Sequence, residues 1–236
     1  MNILQCFKKF VLEIWNDIML SVIIVVPILV GLFFKFGIPL TESYIVKSLD
    51  ISSFLSPYYI IFDIILMLIP SSMFAFAAVM VMLEQLDNGI AKYLVVTPLG
   101  KSGYLISQII LPTIIFFIYT IVNTFIFKLT DITFIQIFLT SIITSLIGIV
   151  NSFVIITFSH NKIEGLALSK FSALIILGTL IPFFLNTKIK YLASFLPTFW
   201  IGQFYISNNY IFIIIALCLC TITCYFSYTK FNHKLI

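Results

Sequence analysis

The sequence predicts an all-α membrane protein of about six transmembrane helices. Three observations carry that expectation. Hydrophobic residues make up 61% of the 236-residue chain and charged residues only 9%, where a soluble domain carries about 25% charged residues. Apolar runs recur at about the twenty-residue length that crosses the ~30 Å hydrocarbon core of a bilayer. Lysines gather in the segments between those runs. So few charges could not cover the surface of a globule in water, and lipid as solvent removes the conflict.

Residues 1–17 form an amphipathic helix. Ile3, Leu4, Phe7, Val11, Ile14 and Trp15 fall on one face, and Gln5, Lys9, Glu13 and Asn16 on the other. Such a helix lies in the interface plane with Trp15 at headgroup level. The first span is expected over Ile18–Phe34 with Pro27 bending it. It lacks a small-x-small cleavage site and is expected to be retained. Residues 35–57, with Lys35, Glu42, Lys47 and Asp50, read as an outside loop with room for a short helix. The second span runs from Pro57 to Leu83, the polar segment 84–104 follows, and the third span covers Leu105–Phe127. A short turn, Lys128 to Asp131, leads to the fourth span, Ile132–Phe158. A second polar loop at 159–167 precedes the fifth span, Leu168–Leu185. Residues 186–209 are apolar but broken by Lys188, Lys190 and Pro197, which fits an outer interfacial or re-entrant segment better than a full crossing. The sixth span is Tyr210–Tyr228. The whole chain reads as one transmembrane unit.

The net charge of +4 comes from thirteen lysines and no arginine. Nucleic-acid readers lean on bidentate arginine contacts, so the basic excess points to membrane orientation. An even number of spans puts both termini on one side. Eight lysines (8, 9, 92, 101, 162, 170, 230 and 234) lie on that side and five on the other. The positive-inside rule therefore predicts cytoplasmic termini in a plasma membrane.

Enzymatic motifs fail on inspection. Gly100-Lys101-Ser102 resembles the end of a phosphate-binding loop, but Val95 stands where its first glycine is needed, and a membrane span follows. No span contains a histidine to activate a serine. Carboxylates and histidines do not cluster in metal-ligand spacing, and Cys6, Cys218, Cys220 and Cys224 read as small hydrophobes. No catalytic residue, metal or cofactor is expected in this chain. Asp63 is the one acid inside a predicted span, near its outer end. It either faces a cavity and a substrate, or reaches the outer interface or a loop lysine. Asn123, Gln136 and Asn151 are further intramembrane polar groups, lining a pathway or bonding helix to helix.

The two loops on the terminal side carry the strongest signal. The first runs Glu84-Gln85-Leu86-Asp87-Asn88-Gly89-Ile90-Ala91-Lys92-Tyr93-Leu94-Val95-Val96-Thr97-Pro98-Leu99. Acids lead into an Asn-Gly turn, and a short run with Ile90, Tyr93 and Leu94 at helical spacing ends at Thr97-Pro98. A short helix of this kind can dock a soluble partner, the plainer alternative being a solvated loop.

In Glu84, Asp87, Gly89, Leu94, Thr97, Pro98 and Leu99 this segment resembles the first cytoplasmic loop of type-2 ATP-binding-cassette (ABC) export permeases. Asn161-Lys162-Ile163-Glu164-Gly165-Leu166-Ala167 is similar to the Asn-Lys-x-Glu-Gly-x-Ala segment of drug and fluoroquinolone-type members. Leu196-Pro197-Thr198-Phe199-Trp200 resembles their stretch before the last span. Gln85 stands where an arginine is common.

The resemblance implies that residues 1–17 are an elbow helix and that 84–104 hold a coupling helix. A separate ATPase subunit, carrying ATP and magnesium, would dock there through Glu84, Asp87, Gly89, Lys92, Leu94, Thr97, Pro98, Glu164 and Gly165. A second permease copy, or a paralogous permease, would complete the substrate route. The cargo implied is an amphipathic small molecule or a peptide, as in bacterial multidrug efflux. A membrane protein conferring immunity or assisting assembly without transport is the alternative.

Overall fold

The computed structural model describes residues 2–49, 53–185 and 187–234, and every regular element among them is helical. Six of its helical stretches are long and apolar enough to cross a membrane: Ile18–Ser48, Ser56–Asp87, Gly100–Phe127, Phe134–Phe158, Lys162–Phe184 and Ile211–Phe231.

Helix α1 (Ile3–Asn16) precedes the first span. Cys6, Phe10 and Ile14 are its buried stripe, while Leu4 is 73% and Trp15 72% exposed. The apolar surface therefore has two parts, one against the protein and one outward, and the expected single face omitted Cys6 and Phe10. Asp17 separates α1 from α2 (Ile18–Leu32). Its carboxylate accepts the Met19 and Leu20 N–H groups, an N-cap that turns the chain into the first span.

The first span does not stop at Phe34. A π-helical turn (Phe33–Gly37) carries α2 into α3 (Ile38–Leu49), so the expected outside loop is largely helix. Its charges are accommodated rather than disruptive. Lys35 donates to the Ile126 carbonyl at 2.6 Å, and Glu42 accepts the Ser56 N–H at 2.9 Å and the Tyr59 hydroxyl. Asp50 lies outside the described residues.

Helix α4 (Tyr59–Asp87) is the second span, and a short α5 (Ile90–Val96) follows. The third span starts five residues earlier than expected: α6 (Gly100–Leu105), a π turn (Ile106–Ile110) and α7 (Leu111–Phe127). Helix α8 (Phe134–Phe158) is the fourth. The second loop contracts to 159–161, because α9 (Lys162–Ser172) begins within it. The fifth span then continues as a 3-10 stretch (Ala173–Thr179) and α10 (Ile181–Phe184). A 3-10 turn (Lys188–Ala193) and α11 (Pro197–Ser207) lead to α12 (Ile211–Lys234).

Helices α4 and α8 form the centre. Ser71 of α4 lies against Gly148 of α8, and Ala75, Ala77 and Ala78 keep the α4 surface low. Small residues allow this close approach, and in lipid helix packing depends on such contact. One core gathers α1, the inner side of α2, α4, α6, α8 and the end of α12 around Phe10, Phe74, Tyr104 and Phe231, with Phe116 of α7 packed against it. Another, near the opposite end, joins α4, α8, α11 and α12 around Ile64, Phe204 and Ala216. The helices α2 and α12 are peripheral and turn Ile18, Met19, Ile214 and Ile222 outward.

Candidate functional site

Among the described residues, the chemistry-bearing side chains collect at the end of the bundle that holds both chain ends. Helix α4 closes with Glu84 and Asp87 in its last turns. Acids are unfavourable there, because a helix C-terminus carries partial negative charge. The start of α9 supplies the compensation. Lys162 Nζ lies 2.6 Å from Glu84 Oε2, and the Lys162 N–H donates to Asp87 Oδ2 at 3.1 Å. The C-terminus of one span is thus joined to the N-terminus of another.

The Asn-Lys-x-Glu-Gly segment now has a physical account. The side chain of Asn161 accepts the Glu164 N–H at 2.8 Å, and Glu164 reaches back to accept the His160 N–H at 2.7 Å. This reciprocal arrangement starts α9 in the manner of a capping box. Gly165 lies directly under Leu83 of α4, in space that a side chain would occupy. The family resemblance pointed to Glu164 and Gly165 as docking residues but not to Asn161 or Lys162, although the Asn-x-x-Glu spacing is itself a helix-start signal.

Between α4 and α5 the chain turns at Gly89, whose φ is +72°. The left-handed conformation ends α4, with the Gly89 N–H donating to the Leu86 carbonyl at 3.0 Å. Helix α5 then presents Tyr93 at 78% and Val96 at 87% exposure, with Ile90 also exposed. Leu94 packs inward, and the Thr97 hydroxyl donates to the Leu94 carbonyl at 2.6 Å before Pro98. The backbone of Lys92 is in α5, and its side chain lies outside the described residues. The third span holds 28 residues. At ~1.5 Å per residue that is about 42 Å against ~30 Å of hydrocarbon, enough for the helix to extend past the hydrocarbon core.

A second link lies beneath this corner. Gln85 Nε2 donates to Glu13 Oε2 at 2.7 Å, and Gln85 Oε1 accepts the Tyr104 hydroxyl at 3.0 Å. Gln85 and Tyr104 are buried. The amide therefore ties α1 to the second and third spans at the position where an arginine was expected. The Glu13 carboxyl is held above its usual range, first by partial burial, with Glu84 adding repulsion and Gln85 and Lys9 opposing.

The intramembrane polar residues lie elsewhere. Asp63 is buried and accepts the Leu129 N–H at 2.8 Å, the Thr130 N–H at 2.9 Å and the Thr130 hydroxyl at 2.5 Å. Neither oxygen is left bare, and the carboxylate holds the turn between α7 and α8. Gln136 forms a capping box with Thr133 and donates to Asn208 at 3.0 Å. Asn123 donates to the Pro27 carbonyl at 3.4 Å, while its Oδ1 has no partner among the described residues. Asn151 is buried in α8.

A family described as "Fluoroquinolones export permease protein Rv2686c-like" matches residues 11–228. The chain belongs to this family. No curated protein and no solved structure gives a match. The match covers the permease from within α1 into α12, so it includes both loops of the corner, five spans and most of the sixth. It agrees with the type-2 ABC export permease class that the loops resemble, and makes the chain a multi-pass export permease of the membrane.

Proposed function

We propose that this permease is the membrane-spanning subunit of an ABC exporter, driven by a separate ATPase that docks on α5 and the adjoining α4–α9 corner. The observation that carries this is the exposure of Tyr93 and Val96 on a short helix held between the projecting ends of two spans. An exposed tyrosine is the kind of anchor a protein partner buries, and the apolar Val96 and Ile90 beside it extend the patch. The Lys162–Glu84 pair makes α9 move with α4, so a push on α5 reaches three spans together. The nucleotide and its magnesium belong to the partner. The cargo is an amphipathic small molecule, in keeping with the family's description, and a second copy or a related permease completes its route. The lysine asymmetry supports a cytoplasmic position for the corner and both termini.

The test is co-purification with an ATPase encoded beside this gene. The intact pair should elute together and export dye or fluoroquinolone from cells. Val96→Glu should abolish both while leaving the permease in the membrane. Export that continues with an ATPase-dead partner would overturn the reading.

A further inference from the structure

An apolar cavity of about 170 Å³ opens between α1, α2 and α7, with α4 at its back. Phe10 and Ile14 of α1, Ile23 of α2, Ala77 of α4 and Phe116 of α7 line it, and no polar side chain does. Its mouth is formed by Val11, Trp15 and Ile115, all exposed. The size exceeds the ~150 Å³ of an apolar protein cavity that takes up benzene while remaining dry. Water gains nothing in such a space. A chain that ends in the hydrocarbon beside it does, at about 0.8 kcal/mol per buried CH₂.

The charge around the mouth selects the head of that chain. Leu4, Lys8, Val11 and Trp15 follow one another at helical spacing along the outward stripe of α1, and all four are exposed. Lys8 therefore stands beside the mouth at the level where Trp15 meets the headgroups. The nearby acids face elsewhere. Glu13 is bonded to Gln85, and Asp17 caps α2.

We propose that this cavity is a binding site for an anionic phospholipid of the leaflet on the N-terminal side, one acyl chain entering beneath α1 and the phosphate resting on Lys8. The lipid then acts as a filler between α1 and the first and third spans. It requires only that the chain lie in a membrane, and it stands apart from the docking of an ATPase.

Quenching of Trp15 by bromine-labelled acyl chains tests the site. The chain has two tryptophans. Trp200→Phe leaves Trp15 alone and keeps an aromatic ring stacked on Phe212. The full-length W200F protein is reconstituted in phosphatidylcholine vesicles containing a small, increasing fraction of brominated phosphatidylglycerol or brominated phosphatidylcholine. Occupancy appears as saturable quenching above the bulk mole-fraction line, with about fivefold tighter binding of phosphatidylglycerol, the preference one interfacial lysine supports. Lys8→Gln should remove the preference. Ala77→Phe, which fills the back, and Val11→Phe, which fills the mouth without touching the core, should each remove the excess. Quenching that only tracks bulk composition, equal response to the two lipids, or an excess that survives Val11→Phe overturns the proposal.

Discussion

Gln85 and Glu13 meet across 2.7 Å, and this contact joins the interfacial helix to the central span of the bundle. The same amide accepts the hydroxyl of Tyr104 at 3.0 Å. Gln85→Leu keeps volume but leaves the buried Tyr104 hydroxyl without its acceptor. An unsatisfied buried hydroxyl costs about 1–3 kcal/mol. The variant should unfold at lower temperature in detergent, and adding Tyr104→Phe should recover the part due to the stranded hydroxyl, leaving the part due to the Glu13 carboxyl that has lost its amide donor. A double variant no better than the single would show that the amide acts elsewhere.

The Glu13 carboxyl gives the same junction a pH dependence. Its pKa is raised above the model-compound value of 4.5, chiefly by partial burial. A folded-state pKa above the unfolded one means that folding favours the protonated form. The associated stability is complete below about pH 4.5, the unfolded value, and is lost as pH rises through the folded value. Glu13→Gln cannot ionise and retains a carbonyl to accept from Gln85. Its thermal midpoint should lie at or above that of the unsubstituted protein at pH 7, and the difference should close as pH falls toward 4.5. A midpoint that falls further below the unsubstituted one as pH rises would contradict the sign.

Asp63 distinguishes a structural acid from a substrate-binding one. Two backbone N–H groups and one hydroxyl from the α7–α8 turn converge on it. Hydrogen bonds to a charged group are each worth about 1.5–3 kcal/mol. Asp63→Ala should therefore lower folded yield and thermal stability by several kcal/mol, and Asp63→Asn, which keeps one acceptor oxygen, by less. In the Asn variant the ratio of export rates for cationic and neutral compounds should stay unchanged. A selective loss of cationic cargo in well-folded Asp63→Asn would assign the carboxylate to the pathway.

The six spans were legible because lipid demands long uncharged runs, and those runs stand out without any tertiary information. Their ends were less so. Glu42 and Lys35 look like loop residues by charge, yet long-range bonds to Ser56, Tyr59 and the Ile126 carbonyl let helix continue past them. The corner was half legible. Glu84 and Asp87 stood out as acids in a loop and Glu164 through the family-like segment, whereas Lys162 acquires its role only when α9 is brought to α4. Gln85 was noticed only as the residue standing where an arginine is common, and Tyr104 carried no signal, since a tyrosine at a span end is ordinary until its partner is known.

Two glycines at the corner should fail for different reasons. Gly89 has φ of +72° with open space around it, so a side chain would meet no neighbour. Alanine there suffers only the left-handed backbone, about 1–2 kcal/mol, and Gly89→Asn should be milder because asparagine tolerates that region. Gly165 has an ordinary helical backbone but lies under Leu83, with Met80 Cε at 3.2 Å from where a Cβ would stand. Gly165→Ala must displace the buried Leu83 side chain, and Leu83→Ala should relieve it, whereas Leu83→Ala should do nothing for Gly89→Ala. Thermal unfolding of the unsubstituted protein, of Leu83→Ala, and of each glycine variant alone and combined with Leu83→Ala, read as two double-mutant comparisons, checks this pairing. Rescue of both glycines or of neither would place Gly165 outside the α4–α9 contact.

The Lys162–Glu84 pair separates stability from coupling. Its side chains are 36% and 51% exposed, and such a surface pair contributes about 0–1 kcal/mol. Lys162→Ala also leaves the bond from its own backbone N–H to Asp87 in place, so α9 stays capped against α4. The variant should therefore fold and resist heat almost as the unsubstituted protein does. Under the proposed function it should nevertheless export more slowly, because the lysine is what transmits movement of α4 sideways to the fifth span. Exchanging the charges, Glu84→Lys with Lys162→Glu, should restore export that either reversal alone removes. Full export by Lys162→Ala would show that the two spans move together without the ion pair. Loss of folding in the same variant would instead make the pair a structural bond far stronger than its exposure allows.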